Sequence, residues 1–165
     1  MVILGIDPGY AILGYGVIEK SGARLCALDY GVIETKAKTP FPERLHRLYD
    51  GALGLIERFS PDQTVFEELF FNRNVTTALQ VGAGRGVVML AMQQAALPLY
   101  EYTPMQIKMA VTGNGHAEKE QVQHMVRVLL NLAQTPRPDD VADALAVAVC
   151  HANTMSPAAE GFRIK

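Results

Sequence analysis

Cysteine, net charge and long apolar runs are all scarce in this chain. Only Cys26 and Cys150 occur, far apart and with no CxxC pair or Cys/His cluster, which excludes a disulfide framework and a zinc site. A reduced, cytoplasmic setting is the expectation that follows. No stretch approaches the roughly 18 consecutive apolar residues of a membrane span. The apolar run Val2–Ile6 meets Asp7 at once, so neither a secretory signal nor a membrane anchor is expected. The formal net charge of −2 excludes a protein that coats nucleic acid by bulk electrostatics and sends the search for basic character to local patches. A nucleotide loop is missing too. Gly82-Ala83-Gly84-Arg85-Gly86 lacks the GxGxxG spacing and lies inside a helical pattern, where it reads as a close helix contact and a candidate dimer seam.

With 165 residues, 49% apolar and 19% charged, the sequence suits one domain over residues 1–152, followed by a loose tail at 153–165. Val2–Asp7, Gly14–Glu19, Leu25–Glu34, Thr64–Leu69 and Pro98–Tyr102 read as strands. Leu45, Leu48, Ala52, Leu55, Ile56 and Phe59 recur at helical spacing before the Ser60-Pro61 stop. Further helices are predicted over Val75–Ala96, over Met105–Val111, from about Ala117, and over Asp139–Ala152. Three hairpin-like strands followed by strand–helix alternation give an α/β fold, a mixed five-stranded sheet flanked by helices.

Against this background the acids Asp7, Glu67, Asp140 and Asp143 stand out, because each adjoins an apolar run that the fold buries. A carboxylate is seldom taken out of water without a partner, so acids at the ends of core elements point to a cation that gathers them. Oxygen-only donors favour Mg²⁺ or Mn²⁺ over zinc. Asp140 and Asp143, three apart on a helix, share a face. Taken singly, Asp7 before Pro8-Gly9 is also an ordinary turn residue and Asp139 or Asp140 an ordinary helix cap; Asp143, which precedes six apolar residues, is hardest to explain that way. Two carboxylate-bridged ions about 4 Å apart can activate water for in-line attack on a phosphodiester. The residues alone leave open Glu67 against Glu68 and Asp140 against Asp139.

Ile6-Asp7-Pro8-Gly9 with Gly14-Tyr15-Gly16, Phe66–Phe70 with Asn74, Ala117–Val126, and Asp140–Ala146 together resemble the RuvC family of Holliday-junction resolvases, in uninterrupted order from residue 2 to about 152. The resemblance implies an RNase H-like fold, a homodimer, and divalent-metal endonuclease action on a four-way DNA junction. It favours Glu67 and Asp140 over their neighbours. It also implies Phe70 as a DNA contact, supports Lys108 and Lys119 as phosphate contacts, and implies partnership with the RuvA and RuvB branch-migration proteins and a preference for certain thymine-containing sequences. Arg73 and Arg85 flank the acids in sequence and are further candidate DNA contacts. One departure stands out: many members carry polar or basic residues where this chain has Tyr10-Ala11-Ile12-Leu13, so a phosphate contact there is not expected.

Overall fold

Alternation along Val2–Asp7 (β1) decides which residues meet which layer: Leu4 and Ile6 enter one apolar cluster, while Ile3 enters the other. In the computed structural model, which describes residues 1–69, 75–154 and 161–164, β1 is the centre of a five-stranded sheet. Ile12–Ser21 (β2) and Arg24–Glu34 (β3) form an antiparallel meander on one side of it, in the order β3-β2-β1. Gln63–Glu67 (β4) and Leu99–Tyr102 (β5) add in parallel on the other side. The parallel set β1, β4 and β5 therefore ends at one rim, at Asp7, Glu67 and Tyr102.

Phe41–Phe59 (α1) and Val75–Gln94 (α2) cover one face of the sheet. Leu48, Ala52 and Leu55 supply the buried stripe of α1, and Ser60 in the left-handed region (φ 44°) ends it. Gly84 of α2 lies against Leu48 and Tyr10, the close contact expected of it, whereas Gly82 and Gly86 face open space. Pro104–Thr112 (α3), Lys119–Leu129 (α4) and Asp139–Thr154 (α5) cover the other face. A capping box starts α3 directly after β5: Gln106 N donates to Thr103 Oγ1 at 3.2 Å and Thr103 N to Gln106 Oε1 at 2.9 Å.

α5 is buried from Val141 to Ala152 apart from Asp143 and lies directly on the backbone of β1 and β2. Two glycines permit the approach. A Cβ on Gly5 would overlap the Ala144 carbonyl oxygen, and one on Gly14 would overlap that of Asp140. At the far end of α5, buried His151 accepts from or donates to Tyr102 Oη and Gln63 Oε1, each at 2.8 Å. An amide oxygen only accepts, so Nε2 carries the proton and Nδ1 takes the tyrosine hydroxyl.

The sequence reading ends the last helix at Ala152 and leaves the rest loose. In the structure α5 continues to Thr154, and Phe162–Ile164 is tied to the sheet: Ile164 N donates to Leu99 O at 2.9 Å, and the Phe162 ring lies 4.8 Å from that of Tyr102. The unpaired outer edge of β5 supplies those backbone partners.

Candidate active site

Strand parity settles which side each rim acid faces. Ile3 and Gly5 of β1 face α5, so Asp7 does too; Val65 of β4 joins the α5-side cluster, so Glu67 does likewise. Glu68 follows the strand, and its N–H continues the ladder to Tyr102 O at 2.9 Å. By alternation it takes the side of Phe66, which belongs to the opposite cluster. The start of α5 packs on this rim, the Asp140 carbonyl against Gly14 and the Ala144 carbonyl against Gly5, and carries Asp140 and Asp143.

The electrostatics show that the four acids share one space. Burial raises the pKa of Asp7 to about 8, with further upward pushes from Glu67, Asp143 and Asp140 in that order. Glu67 is raised to about 7, first by burial and then by Asp143. Burial also raises Asp143, although a bond from Lys119 counters it. Asp139 is absent from the groups acting on Asp7, though it does act on Asp143; it accepts from Gln123 Nε2 at 3.0 Å and Arg137 Nη1 at 3.1 Å. Of the two neighbours, Asp140 is the one that acts on Asp7.

Two predicted cations border the same space. Lys108 and Lys119, with Glu67 and Asp143, line a cleft of about 220 Å³ between β4, α3, α4 and α5. Lys119 Nζ lies 3.1 Å from Asp143 Oδ2 and 3.4 Å from Asp139 Oδ2. Burial works against its charge, but the bonds to Asp143 and Asp139 outweigh that and raise its pKa. Arg85 is placed otherwise. It is paired with Glu101 at 2.8 Å and lies over the Phe66 ring, 5.5 Å from the centroid, so it braces β4 and β5 and does not line this cleft. Phe70 and Arg73 lie outside the described residues.

The donor set fits a hard divalent cation. All four side chains offer carboxylate oxygens alone, and burial, reinforced by neighbouring acids, favours the protonated forms of Asp7 and Glu67 toward neutrality, a bias that a bound cation would reverse. Among the described residues no three acid, His or Cys side chains are closed up to metal-ligand spacing; the acids surround the space, and Lys119 supplies the positive charge at its edge. Sequence reasoning missed Asp139 and Gln123 as the groups that hold Lys119 and its acids in register. It also missed Gly5, although a glycine inside a strand pattern is the signal of a close backbone approach.

A sheet ordered 3-2-1-4-5, with acids ending its central parallel strands beneath an acid-bearing helix, defines the RNase H-like class. The profile of the family described as "Crossover junction endodeoxyribonuclease RuvC" matches residues 3–151. The crossover junction endodeoxyribonuclease RuvC of Desulfitobacterium hafniense is 57% identical over 156 residues, 94% of each chain. The Thermus thermophilus RuvC solved in complex with Holliday junction substrate superposes with a TM-score of 0.91 at 41% identity, covering 99% of both chains. A second Thermus thermophilus RuvC structure gives a TM-score of 0.86 at 42% identity, covering 99% of this chain and 98% of the other. The chain belongs to the RuvC family of crossover junction endodeoxyribonucleases. Membership implies a divalent metal cation, and no described helix is long and apolar enough to cross a membrane.

Proposed function

We propose that the protein is a structure-selective endonuclease that resolves four-way DNA junctions by metal-dependent phosphodiester hydrolysis, with paired symmetric nicks. The observation that carries this reading is the approach of Asp7, Glu67, Asp140 and Asp143 beside one cleft that Glu67 and Asp143 line: burial, and after it the charges of Glu67, Asp143 and Asp140, raise Asp7 to about 8. The Thermus relative, described with a Holliday junction substrate, supports the choice of substrate.

In this reading Asp7, Glu67, Asp140 and Asp143 would hold Mg²⁺, with Mn²⁺ as substitute and two ions per site, and Asp7, at the sheet centre, would be the acid shared between them. Ions held there would supply activation of water for in-line attack and stabilisation of the leaving oxygen. The chain's own residues do the rest. The rigid rim of β1 and β4 fixes the acids, α5 closes the site from above, and Ile107, Val122 and Ala146 give it a dry wall. Lys119 and Lys108 neutralise backbone phosphates beside the scissile one, and Phe70 and Arg73, which follow β4 in the sequence, are further DNA contacts of this reading.

The working unit is a homodimer of one RNase H-like nuclease domain, since a two-fold junction calls for a two-fold enzyme. Support comes from the outward face of α2, where Leu79 (70% exposed) and Leu90 (51% exposed) flank the open positions Gly82 and Gly86. RuvA and RuvB are the expected partners in delivering the junction, and the setting is cytoplasmic. The deciding experiment is cleavage of a synthetic four-way junction, a linear duplex and a structured RNA, each with Mg²⁺ or EDTA. Junction-selective, Mg²⁺-dependent paired nicks are expected. Junction binding without cutting would make the protein a binding module, and preference for RNA would make it a different RNase H-like nuclease.

A further inference from the structure

At the same rim as the acids, but on the α1 face of the sheet, residues 35–39 and the first turns of α1 enclose a cleft of about 740 Å³. Thr35, Lys36, Arg44, His46 and Arg47 line it, together with Glu43 and Asp50. Arg44 is the unusual member, a guanidinium in a residue only 7% exposed. Its Nε donates to Thr35 Oγ1 at 2.8 Å, the Thr35 hydroxyl donates to Tyr10 O at 2.6 Å, and the guanidinium carbon lies 4.3 Å from the centroid of the Tyr10 ring. Arg47 Nε is fixed in turn by Glu34 O at 2.5 Å.

These partners are neutral. Among the described residues no carboxylate lies at ion-pair distance from Lys36, Arg44 or Arg47, and Asp50 is taken by His46 at 3.1 Å. The contrast is Arg85, equally tucked in but matched by Glu101 at 2.8 Å. A guanidinium taken from water without an anion is costly, and a held planar fork suits phosphate.

Register gives the distance from the acids. Asp7 pairs with Gly14 and Gly14 with Val32, so Asp7 lies two strand spacings from Val32, about 10 Å. Thr35 is three residues further along, about 10 Å more at right angles. The net separation is about 14 Å, the rise of roughly four base pairs of duplex.

We propose that this cleft is a second phosphate-binding site, in which Arg44, Arg47 and Lys36 hold the backbone of a junction arm roughly four base pairs from the phosphate being cut. The inference rests on the junction-cutting reading above and adds to it a contact on the far side of the rim from Lys108 and Lys119. Its role is to set the angle at which the arm leaves the site. The chain from Arg44 through Tyr10 to the Pro8-Gly9 turn links the arm to the strand end that carries Asp7.

The test compares junction affinity of the full-length protein and of K36Q/R47Q in EDTA over a salt series, with folding checked by thermal melting. The double variant is expected to bind about 10-fold more weakly, with a salt slope lower by between about one and two. Neutral methylphosphonates placed roughly four nucleotides from the cut are expected to weaken the wild type but not the variant, a non-additivity that a merely structural role would not produce. R44K, which keeps the charge and loses the fork, is expected to weaken binding in the same methylphosphonate-sensitive way. Wild-type affinity and slope in K36Q/R47Q, or additive losses, overturn the inference while leaving the cleavage reading intact. A wild type that neither binds nor cuts the junction removes both.

Discussion

Lys119 Nζ, on the first residue of α4, stands 3.1 Å from Asp143 Oδ2, and so joins a half-exposed cation to an acid fixed on a buried helix. The pair is partly open to water, so its worth to stability is small, below about 1 kcal/mol. Its importance is electrostatic: Lys119 lowers the proton affinity of both Asp7 and Glu67. Replacing Lys119 with Met is therefore expected to weaken junction binding about 10-fold and flatten its salt dependence by about one unit of slope. Unchanged affinity over a salt titration would contradict the assignment.

Asp7→Asn removes the acid at the sheet centre without changing its volume. Junction cleavage is expected to drop by at least about 10³-fold, of the order seen when one element of a catalytic site is lost. Junction binding in EDTA is expected to persist. Near wild-type cleavage at moderate Mg²⁺ would take Asp7 out of the metal site.

Glu67 and Glu68 provide a sharper comparison because they are adjacent and chemically alike. Glu67→Gln is expected to abolish cutting, whereas Glu68→Gln, on the other side by alternation, is expected to stay within about 10-fold of wild type. Single-turnover rates for the two variants, if equal, would defeat the parity argument.

Metal-free stability carries a pH signature. Asp7 and Glu67 are raised to about 8 and about 7 from their ordinary 3.8 and 4.5, so the folded state keeps protons that the unfolded chain releases. Stability from these groups therefore declines as pH rises through those values. His151, buried and lowered to about 4 from 6.5, acts in the opposite sense, but only below 6.5. Between pH 6.5 and 8 the melting temperature in EDTA is expected to fall, by roughly 2–4 °C for each kcal/mol lost. Asp7→Asn flattens that fall, and a melting temperature that climbs over this range would refute the claim.

Gly14→Ala tests the bed of α5. The added methyl meets the Asp140 carbonyl, so α5 must lift at the turn that carries two of the acids. A loss of about 3 kcal/mol is expected from overpacking. Cleavage by the folded fraction should fall with it, and a variant of full activity and stability would show that α5 has room to spare.

Much of this architecture can be read from the residues. The apolar run Val2–Ile6 ending at Asp7 reads as a strand with the observed bounds, and the spacing of Leu45, Leu48, Ala52, Leu55, Ile56 and Phe59 reads as a helix that the structure contains. The start of α1 was less legible because Pro42 resembles a loop residue, yet proline fits the first turn of a helix, and α1 begins at Phe41. β2 runs past the expected Gly14–Glu19 to Ile12–Ser21 because β3 is there to pair with it, a tertiary effect that no local window contains. For the site, parity on β1 and β4 was available in the sequence. The convergence with Asp140 and Asp143 was not, since it depends on how closely α5 approaches the sheet. The pairing of Lys119 with Asp139 and Asp143 spans separate helices and left no periodic trace.

Phe162–Ile164 lies along β5 and occupies backbone groups that would otherwise face solvent. One border of the sheet is thereby closed. Among the described residues only β3 still offers an open border; it bears Arg24 and Glu34 at its ends and Asp29 at the break in register beside Val17/Ile18. A sheet open on one side alone can recruit a single neighbour, so border-to-border association stops at a pair instead of propagating into a fibre.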